Sequence, residues 1–302
     1  MKPVSEAWQT QEERGSSGLI RFIVWVALRV GHSAGRVLLY PICLYFLTFS
    51  IRARRASAGY LRRVLGRAPR VAELFRHYHC FASTLLDRPY FLTGRFASYD
   101  IRVHGEEVML AIHGSGRGGV ILGAHIGSFE VLRCLASTRE WLDLKVMMDM
   151  NVSRRTDAIL NDLNPSYAKH IISLGRPDSV IRAYECIADG AFVGILADRN
   201  TRGGKYVTVP FLGQAAVFPK GPMMLAAAAK CPVVAVFGIY RGNRRYDVYF
   251  EQFCEQVPDD YRTNPDTIPA LVADFAKLME MRCKEAPYNW FNFFEFWKKN
   301  EN

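Results

Sequence analysis

From Gly118 onward the chain alternates short apolar runs with amphipathic stretches, and this alternation constrains its fold more than any other feature. Val120–Ala124, Leu144–Met148, His170–Leu174, Phe192–Ala197, Pro232–Ile239 and Tyr246–Phe250 are short, apolar and bounded by turn residues, so each reads as a strand. Helical spacing starts at Phe129 and recurs near Arg154–Leu163, over Asp178–Asp189 (closed by Gly190), over Gly221–Lys230 and over Thr267–Arg282. Between Ala197 and Gly221 the chain reads as a long basic loop. Such alternation predicts an α/β domain whose mixed, mostly parallel sheet is flanked by helices. Upstream, Val71, Leu74, Phe75, Tyr78, Phe81, Leu85 and Leu86 fit one buried face of a helix over 71–92. His77 and His79 lie in that helix two residues apart, so they point in different directions and read as ordinary helix residues rather than a metal pair.

At 302 residues, 50% of them hydrophobic, the chain can bury a sizeable core. Neither a repeat period nor a Gly/Ser- or Pro-rich linker divides it. The simplest division is a polar tail over 1–18, a membrane-anchoring segment over 19–56 and one α/β domain over 57–302. The seven cysteines are scattered and include no C-x-x-C pair, which argues against a disulfide framework or a zinc site and for a reducing compartment.

Residues 19–51 are apolar but interrupted, too long and too late for a signal peptide. On a helical wheel Arg21, Arg29, His32 and Arg36 share one sector, while Ile23, Val26, Val30, Val37 and Leu38 lie away from it. That pattern suits a helix lying in a membrane interface with its cations towards the headgroups. The following run, Val37–Ile51, contains Pro41 and alone falls short of the roughly 20 residues that span a bilayer. Trp25, Tyr40 and Tyr45 suit an interface. Spanning and interfacial anchoring both remain open. The net charge is +10, and Arg52, Arg54, Arg55, Arg62, Arg63, Arg67 and Arg70 follow directly on the apolar segment. The positive-inside bias then expects the following domain in the cytoplasm. A nucleic-acid partner is not expected, because no zinc-finger, helix-turn-helix or RNP-type pattern accompanies the charge.

Within "GGVILGAHIGSFEVLRCL", His125 ends a predicted strand and Glu130 falls in the first turn of the next helix. Asp198 also sits just past a predicted strand. In parallel α/β sheets ligands gather at the carboxyl ends of the strands. A histidine there can act as general base if a carboxylate on its second ring nitrogen fixes the tautomer. With Gly127 relaxing the turn and Ser128 as N-cap, Glu130 could reach back to His125, and the amides of the same turn could steady an oxyanion. The plainer reading also stands: a glutamate early in a helix is favoured by the macrodipole alone.

The "HIGSFE" stretch resembles the His-x-x-x-x-Glu/Asp signature of the glycerolipid acyltransferases, and its context resembles the bacterial lipid A late acyltransferase branch. "GAFVGILADRN", "VPFLGQAAVFPKGPMMLAAAAKCPVVAVF" and "APYNWFNFFEFW" are similar to further blocks of that branch, so the likeness extends over most of residues 20–297. Two positions depart from it: Met148 stands where an arginine is expected, and Lys220 stands for an acid in "FPKG".

This resemblance implies a membrane-associated O-acyltransferase at the bacterial inner membrane, its catalytic domain on the cytoplasmic face. It would move an acyl chain from a thioester to a hydroxyl of a lipid or glycolipid. His125 would be the general base, with Glu130 orienting it. Gly127, Ser128, Asp198, Arg199, Arg202 and Lys205 would bind substrate. Acyl carrier protein or acyl-coenzyme A would be the donor, with no metal or other cofactor. The alternative is a non-catalytic membrane-associated lipid binder on the same fold.

Overall fold

The computed structural model describes residues 17–149, 162–164, 167–199 and 204–297. Four helices lead the chain: α1 (Ser17–Arg29), α2 (His32–Phe49), α3 (Ile51–Leu65) and α4 (Val71–Leu92). They precede β1 (Asp100–His104), α5 (Glu106–Gly114), β2 (Gly119–Gly123), α6 (Glu130–Ser137), β3 (Leu144–Met148) and β4 (Ile171–Ser173). The remainder is α7 (Ser179–Ala188), β5 (Phe192–Leu196), β6 (Tyr206–Phe211), β7 (Gln214–Pro219), α8 (Gly221–Ala229), β8 (Val233–Gly242), β9 (Arg245–Cys254) and α9 (Thr267–Glu285). The helix expected near Arg154–Leu163 falls almost wholly outside the described residues.

Among the described residues seven strands form one sheet in the order β1-β9-β8-β2-β5-β3-β4. β8, β2, β5, β3 and β4 are mutually parallel, while β9 turns back antiparallel on β8 and β1 runs parallel to β9. The fold is therefore α/β with a mostly parallel sheet flanked by helices. β2 is buried along its whole length, which explains its unbroken apolar run; strands covered on both faces lose the polar alternation. Its neighbours β5 and β8 come from much later in the chain, so β2 lies where the connections depart to either side.

One element escapes the sequence reading. The stretch taken as a basic loop holds the hairpin β6–β7, paired from Tyr206↔Pro219 to Phe211↔Gln214. Pro210 and Pro219 argue against strands, yet a two-stranded ribbon has free edges that tolerate them. The turn is Leu212–Gly213, both with positive φ, the geometry of the two-residue hairpin turn. Glu280 of α9 secures it by accepting the Leu212 amide at 2.6 Å.

The N-terminal helices pack into the same core. α2 turns Leu39, Cys43 and Leu47 inwards and packs on α4. His32, expected to face headgroups, is instead buried: its Nε2 lies 2.7 Å from Asp87 Oδ1 on α4. Asp87 also accepts the hydroxyls of Tyr99 at 2.8 Å and Tyr246 at 2.7 Å. This carboxylate, 1% exposed, thus ties α2, α4 and the start of β9 together. A buried charge is tolerated only with such a full set of partners, which is why helical phase alone mis-assigned the histidine. Arg54 donates to the Leu47 carbonyl at 3.1 Å, closing the end of α2 where the chain bends into α3. We expect Asp87→Ala to destabilise the fold by about 3–5 kcal/mol, because it strands two buried hydroxyls and the imidazole. Denaturant unfolding of the purified chain measures this.

Candidate active site

Parallel pairing of β2 with β5 aligns Gly123 with Leu196, and the Ala197 amide donates to the Gly123 carbonyl at 2.8 Å. Continuing that register by two residues sets His125 beside Asp198. His125 Nδ1 lies 2.8 Å from Asp198 Oδ1, and the His125 amide donates to Oδ2 at 3.2 Å. Trp290 Nε1–H donates to the same Oδ2 at 3.0 Å. Asp198 is fully buried, whereas the His125 side chain is 30% exposed.

Electrostatics follow from this cage. Burial alone would raise the Asp198 carboxyl. The His125 ring, the Arg199 guanidinium and the Trp290 N–H outweigh it and hold the group below the usual carboxylate range. Burial, with the nearby Arg199, lowers the imidazole below its ordinary value of 6.5 against the opposing pull of Asp198. An ionised carboxylate can only accept, so Nδ1 carries the proton and Nε2 keeps its lone pair. The site thus presents a neutral base held in one tautomer.

The turn after His125 is built by close approach of three chain segments. The Gly127 amide donates to the Asn289 carbonyl, the Ser128 amide to the Gly238 carbonyl of β8, and the Phe291 amide to the His125 carbonyl, each at 2.8 Å. Gly127 has φ +67°, and a Cβ there would sit 1.9 Å from the Gly238 oxygen. The Phe129 ring covers Gly123 of β2 and Gly194 of β5, where added Cβ atoms would meet it at 3.0 and 2.6 Å. The Gly-x-aromatic pattern of the motif is thereby a packing requirement.

Several sequence expectations change here. The bond to the second ring nitrogen comes from Asp198, not Glu130. The Glu130 carboxylate instead accepts from Arg88 of α4 at 3.0 Å and lies 3.9 Å from Arg133. It borders a cavity lined also by Phe91, Leu92, Arg133, Asn164 and His170, a lining that does not include His125. Ser128 is not the N-cap: Phe129 holds that position, without a side-chain cap. The Gly127 and Ser128 amides are committed to neighbouring backbone and are not free for an oxyanion. Arg199 turns inwards, donating to the Phe291 carbonyl at 2.8 Å and lying over the Phe294 ring. Lys205 is exposed at the base of the β6–β7 hairpin, and its carbonyl accepts the Lys220 amide. Arg202 lies outside the described residues.

Trp290 and Asn289 are the site residues that sequence reasoning passed over. The Asn289 side chain accepts the Tyr240 amide at 2.8 Å and donates to its carbonyl at 3.2 Å, fixing the C-terminal segment against β8. Their signal was the aromatic run "APYNWFNFFEFW", whose density of rings is unusual for a chain end.

Residues 93–299 match the model of the family described as bacterial lipid A biosynthesis acyltransferase. No curated protein matches the chain. The matched region starts just after α4 and takes in the sheet, the His125 turn and the Trp290 segment.

The strictness of the turn is directly testable. Gly127→Ala should destabilise the protein by about 1–3 kcal/mol or more, since it combines a left-handed backbone with a clash against main chain. Thermal melts should show it, and Gly238→Ala should behave alike, its Cβ meeting the Ser128 oxygen at 2.4 Å.

Proposed function

The chain belongs to the bacterial lipid A biosynthesis acyltransferase family, and on that premise we propose that it transfers an acyl chain from a thioester donor to a hydroxyl of a lipid or glycolipid acceptor, with His125 as general base. The observation that carries this reading is the His125–Asp198 bond at 2.8 Å, which leaves Nε2 as a free base on a partly exposed ring.

The steps follow from that arrangement. Nε2 takes the proton of the acceptor hydroxyl as its oxygen attacks the thioester carbonyl. Asp198 offsets the charge of the resulting imidazolium and keeps the ring in line. With the Gly127 and Ser128 amides committed, the oxyanion falls to the N-terminal turn of α6, where the helix dipole favours negative charge. Collapse of the tetrahedral intermediate forms the ester, breaks the carbon–sulfur bond and returns the Nε2 proton to the departing thiolate. No acyl-enzyme is needed. Glu130 serves here by anchoring the first turn of α6 to Arg88 of α4. Acyl carrier protein is the donor we favour, its acidity matching a chain of net charge +10.

The same reading extends to the membrane. No single described helix is long and apolar enough to cross a bilayer; α2 and α3 pass that test only as a pair bent by 95°. α2 buries one face on α4 and exposes Tyr40, Leu44, Tyr45 and Phe49 on the other, and α1 exposes Phe22 and Trp25. Arg52, Arg55 and Arg62 are exposed on α3 next in sequence. Apolar surface followed by cations suits a helix pair lying in the interface of an anionic membrane, which we take to be the inner membrane with the sheet domain on its cytoplasmic side.

Four outcomes are expected. His125→Ala and Asp198→Asn should each lower turnover by about 10²–10⁴-fold while leaving the melt unchanged for His125→Ala. Lipid mass spectrometry of cells carrying His125→Ala should find a species one acyl chain lighter; an unchanged lipid profile and undiminished transfer by the variant would remove His125 as the base, and absence of transfer by the wild-type chain would favour a lipid binder without chemistry. The base must be neutral and its imidazole is lowered, so kcat/KM should fall on acidification with a midpoint below pH 6.5. Replacing Trp25, Tyr45 and Phe49 together with serine should abolish flotation with anionic liposomes, with the catalytic turn intact by circular dichroism and residual activity on dispersed substrate.

A further inference from the structure

We propose that His77 is a positioning residue of the acyl-transfer site, acting through Trp290 on the Asp198–His125 pair. This rests on the acyl-transfer reading above and adds to it a residue outside both the His125 motif and the matched region.

The imidazole of His77 is completely buried between α3, α4 and the C-terminal segment. Its Nε2 lies 2.8 Å from the Trp290 carbonyl and its Nδ1 2.7 Å from the Ser57 hydroxyl of α3. A carbonyl only accepts, so Nε2 bears the proton, and Nδ1 accepts from Ser57. The ring is therefore neutral with a single tautomer. Burial, opposed by that carbonyl, moves its titration down to about 4, well clear of neutral pH. His77 also stacks on the Phe293 ring, 4.7 Å between centroids at 22°.

A continuous line of hydrogen bonds results. Ser57 donates to His77, His77 to the Trp290 carbonyl, the Trp290 indole to Asp198, and His125 to Asp198. The next residue, Phe291, returns its amide to the His125 carbonyl. Holding the Trp290 peptide thus sets both the indole direction and the backbone behind the catalytic ring. Tyr60, Phe211 and Phe296 press edge-on against the same indole at 4.9–5.2 Å between centroids. Those rings supply packing but no direction; the two bonds to His77 supply direction. A residue needed for volume alone would be an aromatic hydrocarbon, since each buried polar atom must otherwise find a partner. Displacing a reacting group by about 1 Å costs on the order of 10²-fold in rate, so this clamp should appear in turnover rather than in substrate binding.

The test uses the full-length chain with three variants. His77→Phe keeps the stack and removes both bonds. His77→Gln restores an N–H donor of similar reach. Ser57→Ala/His77→Phe removes the hydroxyl that His77→Phe alone would strand, and carries the test if that single variant fails to fold; the Trp290 carbonyl keeps the Asn292 amide as partner at 2.8 Å. Two readouts are taken: kcat and KM for acyl transfer, and hydrogen exchange of peptides covering 286–297 and 124–129.

The expected result for the phenylalanine variants is a kcat lower by about tenfold or more with KM within about twofold. Exchange should be faster in those two peptides and not elsewhere, and both effects should revert with His77→Gln. Wild-type kcat in the phenylalanine variants, or exchange unchanged at 286–297, overturns the proposal. Absence of transfer by the wild-type chain would instead sink the acyl-transfer reading, and the exchange pattern, which needs no turnover, tells the two failures apart.

Discussion

The site depends on the register between β2 and β5. Two central strands, buried along their pairing except at Leu196, bring a histidine and an aspartate from positions 73 residues apart to 2.8 Å. Slipping that register by one residue would turn every side chain of the strand to the opposite face, so the core of both strands enforces the His125–Asp198 pair. The pair is thereby held by the buried centre of the sheet. The ring remains partly exposed at the strand ends, while the carboxylate behind it is sealed from water.

Three distant segments then converge on that pair. From β8, Gly238 accepts the turn after His125; from the C-terminus, Asn289, Trp290 and Phe291 bind its backbone and its aspartate; from α4, Arg88 holds Glu130. The glycines at 127 and 238 exist because main chain approaches main chain there too closely for a Cβ. Asp87 joins α2 to the same framework through His32, Tyr99 and Tyr246.

Much of this is legible in the sequence, and the rest fails for identifiable reasons. β2 and β5 declare themselves because buried parallel strands are continuous apolar runs. His125 and Asp198 are each visible as strand-end residues, but their partnership is not: pairing between strands distant in sequence leaves no local trace. Glu130 attracts attention because it is near in sequence and at helical spacing, whereas its actual partner, Arg88, comes from a helix outside the motif. His32 misleads because helical phase shows which residues share a face and not what covers that face. The hairpin β6–β7 is hidden by its two prolines, and His77 looks ordinary because its partners lie on α3 and at the chain's end.

The central claim is that Asp198 fixes His125 as the Nδ1–H tautomer with a free Nε2. Long-range ¹⁵N–¹H correlation of histidine-labelled, detergent-solubilised protein reads this directly, with His125→Ala assigning the signal. At pH 7 the account predicts a protonated Nδ1 and an unprotonated Nε2, a pattern lost in Asp198→Asn. A protonated Nε2 in the wild-type protein, or a His125 signal indifferent to Asp198→Asn, would contradict it.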